Sequence, residues 1–129
     1  HMVRTFLNSK IHKATVTDSR IDYEGSCVID SVLLNAAGIK PYEKIDIYNI
    51  TNGERFSTYA IEGEADTGTI CINGAACHKA TINDKIIICT YTDLTEAEYL
   101  NHKPTVIHVD NRNKIMECES YSNVSLVEK

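Results

Sequence analysis

"IDIYNITNGERFSTYAI", residues 45–61, decides the kind of fold, because it predicts two β-strands and the turn between them. The runs "EKIDIYNI" and "ERFSTYAI" are rich in the β-branched and aromatic residues that favour strands. Thr51-Asn52-Gly53 lies between them, and Asn-Gly between two such runs is a strong short-range hairpin signal. The centre of the chain is therefore predicted to be a β-hairpin.

Further short extended segments lie on both sides of this hairpin. They are "MVRTFL", "IHKATVT", "GTICINGAA", "DKIIICTY", "TVIHV" and "KIMEC". "DKIIICTY" is almost wholly apolar, which predicts a strand buried on both faces. Asn73-Gly74 predicts a second turn. Many short strands at close spacing favour a closed or nearly closed barrel, since closure removes exposed edges, with a β-sandwich as the alternative.

Only two segments predict helices. "DSVLLNAAGI" has Asp30 as a candidate N-cap and Gly38 just past its end. Thr95 with Glu98 forms a capping box before "EAEYLNHK", which Pro104 ends from outside. The last segment, "ESYSNVSLVEK" at residues 119–129, has no firm periodicity and is expected to fray or to dock on a neighbour.

Length and charge exclude several classes of function. A chain of 129 residues is expected to be a single domain, and no run of eighteen apolar residues or signal peptide is visible. The net charge of -5 repels nucleic acid and anionic membranes, so neither is an expected partner. The five cysteines are odd in number and form no C-x-x-C pair, which fits a reducing cytoplasm. Adjacent Cys77-His78 lacks the spacing of a zinc site, so no metal is expected.

Several polar residues are candidates for a site, and each has a plainer structural explanation. Lys10 and His12 share one strand face. A pair of polar residues on a strand more often marks a face that is simply exposed to solvent. Arg55, Ser57 and Tyr59 likewise share a face, on which a guanidinium suits a carboxylate and a phenol can move a proton. Cross-strand pairing on an exposed face explains the same pattern.

Two glycine-containing stretches offer backbone rather than side chains. Asn73-Gly74-Ala75-Ala76 has small residues and backbone N–H groups that a ligand could approach closely, although a hairpin turn explains them equally. In "YEGSCVID", residues 23–30, Ser26 is open to interpretation as a turn hydroxyl or as a nucleophile.

Taken together, these segments resemble the bacterial aspartate 1-decarboxylase family. The resemblance rests on "SKIHKATVT", "DYEGSCVID", "NAAGI", "IDIYNITNGERFSTYAI", "ICINGAACHKATINDKIIICTY" and "HKPTVIHVD", across about residues 3 to 110. It implies a mainly β fold, a small double-psi β-barrel with two short helices. It also implies that the chain cuts itself between Gly25 and Ser26 into residues 1–25 and 26–129. Ser26 then becomes a pyruvoyl group, so that neither pyridoxal phosphate nor a metal is needed.

The resemblance further implies an activity and a role for each candidate. L-Aspartate would form a Schiff base with the pyruvoyl group and lose CO2, giving β-alanine for pantothenate biosynthesis. Tyr59 would donate the proton, and Thr58 would hold the Gly25 carbonyl during cleavage. Substrate would be bound by Lys10, Arg55, Asn73, Gly74, Ala75 and Ala76, surrounded by His12, Tyr23 and Tyr48. The implied assembly is a cytoplasmic homotetramer, and a maturation factor is a candidate partner.

Two other classes of function remain open at this stage. An N-terminal-nucleophile hydrolase would also be cut before Ser26 but would keep the hydroxyl. A non-enzymatic barrel would never be cut. One conflict also remains, because strict alternation puts Thr58 on the strand face opposite Arg55 and Tyr59. Either β-strand 54–61 ends or bulges there, or two subunits supply these residues.

Overall fold

The fold is known from a computed structural model that describes residues 2–120. The strands are β1 Val3–Thr15, β2 Asp18–Arg20, β3 Ser26–Asp30, β4 Lys44–Asn49, β5 Arg55–Gly63, β6 Ile70–Asn73, β7 Lys85–Thr95, β8 Thr105–Val109 and β9 Ile115–Ser120. The α-helices are α1 Ser31–Ala37 and α2 Glu96–Tyr99, and a 3₁₀ helix spans Gly74–His78. The prediction of a mainly β protein with two short α-helices is confirmed. The predicted behaviour of residues 121–129 falls outside the described residues.

The strands form one sheet that closes into a small barrel. Their order is β2-β6-β3-β5-β4-β7-β1-β8-β9. β1 and β2 lie at distant places in this order but are joined along the chain by Val16 and Thr17. The Val16 N–H donates to the Asp84 carbonyl beside β7, and the Thr17 N–H donates to the Ile70 carbonyl of β6. The segment from β1 to β2 thus links β7 to β6, which lie far apart in the strand order, and the predicted closure is confirmed.

Isoleucine dominates the barrel interior. Across residues 2–120, nine isoleucines are essentially inaccessible to solvent, and they are Ile11, Ile29, Ile45, Ile47, Ile70, Ile72, Ile86, Ile88 and Ile107. Their β-branched side chains lose little freedom in strands and pack well on a pleated surface. Alternation along each strand sends the intervening residues to the outer face of the barrel.

The strongest local predictions are confirmed. β4 and β5 form the antiparallel hairpin around Asn52-Gly53, where Gly53 has φ +78°. The Asp30 carboxylate accepts the Val32 N–H at the start of α1, and Gly38 ends α1 in the left-handed conformation. The capping box of α2 is present, and its side-chain to backbone bonds hold the pKa of the Glu98 carboxyl below its ordinary value.

Three local expectations are wrong in detail. "MVRTFL" and "IHKATVT" belong to one long strand, β1, which bends at irregularities between Leu7 and Ser9 and between Ile11 and Ala14. Asn73-Gly74 does not turn a hairpin, because Gly74 begins the 3₁₀ helix. α2 ends at Tyr99, well before Pro104. The burial of "DKIIICTY" on both faces is confirmed only in part: Ile86, Ile88, Cys89 and Thr90 are buried, whereas Ile87 is half-buried and Tyr91 is exposed.

Candidate active site

Ser26 lies at the first position of β3, where two neighbouring strands set its surroundings. It pairs with Asn73 of β6, and Cys27 pairs with both Ile72 and Ala60. Ser26 is 2% exposed and Asn73 is 5% exposed. The Asn73 Nδ2 group donates to Ser26 Oγ over 3.1 Å, and Ser26 Oγ donates to the Glu24 carbonyl over 3.4 Å. A buried serine hydroxyl is therefore held between an amide donor and a backbone acceptor.

Gly25 and Gly74 approach each other beside this serine. Gly74 has φ +74°, and a Cβ built on it would lie 2.8 Å from both Gly25 Cα and Gly25 N. It would also lie 3.0 Å from the Tyr23 carbonyl oxygen. Only glycine fits Gly74 without displacing this backbone. A Cβ built on Gly25 itself would meet no atom within 4 Å.

The strand register places two residues of β5 next to the Gly25-Ser26 bond. β3 and β5 run parallel with Cys27 beside Ala60. Extending this register by one position places Tyr59 beside Ser26, and a second position, which reaches Gly25 just before β3 begins, corresponds to Thr58. Tyr59 shares the outer face with Ser26, whereas Thr58 is paired with buried Ile45 of β4.

The β4–β5 ladder answers the conflict over Thr58. Its pairing runs without a shift from Tyr48–Arg55 to Lys44–Tyr59. The strand therefore does not bulge between Arg55 and Tyr59, and the alternation predicted from the sequence holds. Thr58 therefore lies on the face of β5 opposite to Arg55 and Tyr59, at the position that the extended register assigns to Gly25.

Lys10 and Arg55 belong to a second part of the outer face. Lys10 pairs with Cys89 on β7, and Cys89 pairs with Asp46 on β4. The Arg55 guanidinium lies 4.1 Å above the ring of Tyr48, whose hydroxyl is 2.7 Å from that of Tyr91. Burial raises the pKa of the Cys89 thiol, and the Lys10 ammonium opposes this effect. This region is cationic and aromatic, which suits a carboxylate ligand.

The two parts of the site are separated within one chain. In the strand order, three strands, β5, β4 and β7, lie between β3 and β1. Arg55 is four residues from Tyr59 on β5, which is roughly 13 Å at the rise of an extended strand. The structure thus brings Ser26, Asn73, Gly74 and Tyr59 together and leaves Lys10 and Arg55 apart from them.

The remaining predicted site residues divide between these two regions. Tyr23 lies with Asn73 in a surface depression and accepts a 3.1 Å hydrogen bond from Arg20. Ala75 is exposed on the 3₁₀ helix, whereas Ala76 packs against the core. His12 lies on the Lys10 side, where its ring makes an edge contact with His108 at 5.6 Å. Partial burial, with the nearby Lys10, His108 and Lys13, lowers the pKa of His12.

Three groups around Asn73 were not predicted from the sequence. Arg20 pairs with Asn73 across β2 and β6, and Asp18 pairs with Cys71, so both line the same depression. The Cys71 thiol donates to Asn73 Oδ1 over 3.2 Å. Cys71 precedes Asn73 by two residues on a strand, so the period of two could have placed it on the same face. Arg20 had no such signal, because β2 is only three residues long.

One group outside this region has the composition of a metal site. The side chains of His108, Glu117 and Glu119 bring one ligand atom each within 4.8 Å of one another. They lie at the β8–β9 hairpin, and His108 Nε2 is 3.4 Å from Glu119 Oε2. Cys77-His78 joins no such cluster among residues 2–120. Across the same residues, the α-helices are too short to cross a bilayer.

Comparison with known proteins gives a consistent result over most of the chain. The model of the family described as Aspartate decarboxylase matches residues 2–116. The aspartate 1-decarboxylase of Ralstonia nicotianae is 50% identical over 119 residues, which are 92% of this chain and 99% of that protein. The aspartate 1-decarboxylase of Methylobacillus flagellatus is 55% identical over 114 residues, 88% of this chain and 90% of that protein. That of Thioalkalivibrio sulfidiphilus is 53% identical over 119 residues, 92% and 94% of the two chains.

Proposed function

The chain belongs to the aspartate decarboxylase family, and from this premise we propose that it converts L-aspartate to β-alanine and CO2 with a pyruvoyl group made from its own Ser26. The β-alanine would serve pantothenate biosynthesis. The observation that carries the proposal is the Asn73 to Ser26 hydrogen bond of 3.1 Å beside the close contact of Gly25 and Gly74. Five free cysteines are in keeping with a reducing cytoplasm as the place of action.

Self-cleavage at Gly25-Ser26 is the first proposed step. Ser26 Oγ attacks the Gly25 carbonyl carbon, the C–N bond between the two residues breaks, and the hydroxyl proton passes to the released amine. The product is an ester between Gly25 and the Ser26 side chain. Thr58, beside Gly25 by the register of β3 and β5, is proposed to hold the carbonyl oxygen as charge develops on it.

Elimination and hydrolysis complete the proposed maturation. Loss of the Ser26 Cα proton expels Gly25 as a carboxylate and leaves dehydroalanine at position 26. Water then replaces the nitrogen, ammonia leaves, and residues 26–129 begin with a ketone. Residues 1–25 remain as a separate short chain. One water is consumed and one ammonia is released in the whole sequence.

The fit of the pyruvoyl group is supported by the surroundings of Ser26. Once formed, this group supplies a carbonyl that condenses with the substrate amine and accepts the electrons left by departing CO2. Asn73 lies within hydrogen-bonding distance of that position, and Tyr59 lies on the neighbouring strand of the same outer face. Tyr59 is proposed to deliver the proton that replaces CO2. Gly74, Ala75 and Ala76 are proposed to line the site with backbone and small side chains.

Arg55 and Lys10 are proposed to bind the substrate carboxylates. The Tyr48 ring holds the Arg55 guanidinium from one side and leaves its N–H groups for a carboxylate. Within one chain, β5, β4 and β7 lie between the strands of Ser26 and Lys10, and Arg55 is four residues from Tyr59 along β5. We therefore propose that a second copy of the chain supplies them and that the working assembly is a homotetramer. The regular β4–β5 ladder supports this explanation, because it removes the alternative of a bulge.

Intact mass spectrometry of the purified protein tests the proposal, with Ser26→Ala as the uncleavable variant. We expect two fragments that meet at residues 25 and 26, the longer one carrying a ketone in place of the serine amine and therefore lighter than a chain beginning with serine. That fragment should react with a hydrazine, and the preparation should release CO2 from L-aspartate.

Each alternative gives a different spectrum. Two fragments whose longer member keeps the full mass of a serine terminus would indicate an N-terminal-nucleophile hydrolase. A single mass that persists on warm incubation would contradict unaided cleavage, and a cell extract added at that point would reveal a maturation factor. Cleavage that proceeds unaided would make such a factor unnecessary.

A further inference from the structure

We infer that Cys71 is a positioning residue, whose thiol fixes the orientation of the Asn73 amide so that its NH2 group faces Ser26. The orientation of the Asn73 amide is inferred from the hydrogen bonds alone. The expected effect of that orientation on the cleavage rate rests on the proposed function. Cys71 lies on β6 two residues before Asn73, so both side chains leave the strand on the outer face.

Three hydrogen bonds run in one direction through this cluster. The Cys71 thiol donates to Asn73 Oδ1 over 3.2 Å, and Asn73 Nδ2 donates to Ser26 Oγ over 3.1 Å. Ser26 Oγ in turn donates to the Glu24 carbonyl over 3.4 Å. Asn73 and Ser26 each accept on one side and donate on the other. The direction of the whole series is therefore set at its first member, which is the thiol.

The direction matters because an asparagine amide has two ends of nearly the same shape. Rotation by half a turn would present Oδ1 instead of Nδ2 to the serine. An NH2 group stabilises negative charge on a neighbouring oxygen, whereas a carbonyl oxygen repels it. Asn73 is 5% exposed, so water cannot readily compensate for a lost partner at Oδ1. A donor beside Oδ1 thus selects the orientation that helps the attack of Ser26 Oγ.

The protonation state of Cys71 fits a donor. Burial, followed by the carboxylate of Asp18, raises the pKa of the thiol above its ordinary value. The group therefore stays protonated at neutral pH. A thiolate in this position would lack the proton and would repel Oδ1.

The test compares two replacements of Cys71. Cys71→Val keeps an apolar side chain of similar size on the strand but removes the donor, whereas Cys71→Ser restores a donor. Cys77→Val is the matched control, because the Cys77 thiol donates to the Ile72 carbonyl and takes no part in the series that passes through Ser26. Intact mass measured over time gives the rate of cleavage at Gly25-Ser26 for each protein.

We expect Cys71→Val to slow cleavage about tenfold, which corresponds to the loss of one hydrogen bond of typical strength. Cys71→Ser should recover most of the rate, and Cys77→Val should cleave like the unchanged chain. A merely structural role would instead lower the thermal midpoint of both Cys71 variants without this recovery. Equal cleavage by Cys71→Val and the unchanged chain, or no recovery in Cys71→Ser, would overturn the inference.

A second measurement separates this inference from the proposed function. In a Thr58→Val background, expected to stay uncleaved whichever function is correct, NMR detects whether the Asn73 side-chain NH2 protons lie close to the Ser26 β protons. This contact should be present with Cys71 unchanged and in Cys71→Ser, since both keep a donor at this position, and it should be lost in Cys71→Val. If the unchanged chain never cleaves but the NMR pattern holds, the proposed function fails and the positioning role stands. If the contact persists in Cys71→Val, the positioning role is wrong.

Discussion

Gly74→Ala is expected to slow self-cleavage by at least about tenfold while leaving the barrel folded. Gly74 has φ +74°, and forcing an L-residue into this region costs about 1–2 kcal/mol. The added Cβ would also lie 2.8 Å from Gly25 Cα and N, and these atoms belong to the backbone and cannot rotate away. Relief requires the Gly25 segment to move by several tenths of an ångström away from Ser26. A displacement of this size at a reacting carbonyl is enough to change a rate greatly.

Gly53→Ala provides the matched control. Gly53 has φ +78°, so the same substitution carries the same backbone cost. Nothing lies within 4 Å of its added Cβ, and it is located in the β4–β5 hairpin turn. Both variants should therefore lose about 1–2 kcal/mol of unfolding free energy from the left-handed conformation. Only Gly74→Ala should lose the cleavage rate.

The assay follows the fraction of cleaved chain by intact mass over time, with urea unfolding on the same preparations. A rate loss of tenfold corresponds to about 1.4 kcal/mol in the barrier. Equal cleavage rates in Gly74→Ala and Gly53→Ala would refute the reasoning, because the close approach to Gly25 would then have no bearing on the reaction.

Three further outcomes follow from other contacts. Tyr48→Leu removes the ring beneath Arg55 and should raise KM for aspartate about two- to fivefold with kcat unchanged. Tyr48→Phe keeps the ring and should leave KM unchanged. Equal KM values for the Leu and Phe variants would exclude the stacking role. The pKa of His12 is lowered from 6.5 in the folded state, so the folded chain binds fewer protons than the unfolded chain below about pH 6.5. The unfolding free energy should therefore decrease as the pH drops below about 6.5. Urea unfolding of His12→Gln should show a smaller decrease over the same pH range. Thr95→Ala should lower the unfolding free energy by about 1 kcal/mol through loss of the α2 capping box with Glu98, and an unchanged urea midpoint would show that the box contributes nothing.

Local chemistry explains which parts of the fold could be predicted from the sequence. Asn52-Gly53, Asp30 and Thr95 each act within a few residues, so their hairpin and caps could be predicted without the rest of the chain. The bends of β1 and the closure through Val16 could not, because they depend on β6, β7 and β8 as partners. Asn73-Gly74 was misjudged for a related reason. The positive φ of Gly74 is the conformation that a turn would use, but here it brings the backbone beside Gly25 instead of turning a hairpin.

Candidate site residues could be proposed from the sequence, but how the fold arranges them could not. Alternation correctly placed Thr58 opposite to Arg55 and Tyr59. Alternation within one strand cannot say how far Lys10 lies from Ser26, because that distance depends on the order of strands in the sheet. Lys10 and Ser26 proved to be four strands apart. The roles assigned to these residues stay predictions until the variants are measured.

The position of Ser26 is fixed by the core residue next to it. Cys27 is fully buried and pairs with two other fully buried residues, Ala60 and Ile72. Each of these buried residues is next along its strand to an outward residue of the candidate site. Cys27 follows Ser26, Ala60 follows Tyr59, and Ile72 precedes Asn73. A slip of one residue in any of these strands would turn a site residue inward and a core residue outward, which the packing opposes.

This arrangement also gives Cys27 a role that the sequence alone did not suggest. A thiol next to the proposed nucleophile Ser26 could compete with it, since thiols are the more reactive group when ionised. Burial raises the pKa of the Cys27 thiol, so it stays protonated and inert inside the barrel. The same packing that locks the register of β3 between β5 and β6 therefore leaves Ser26 as the only one of the two adjacent side chains on the outer face, where cleavage is proposed.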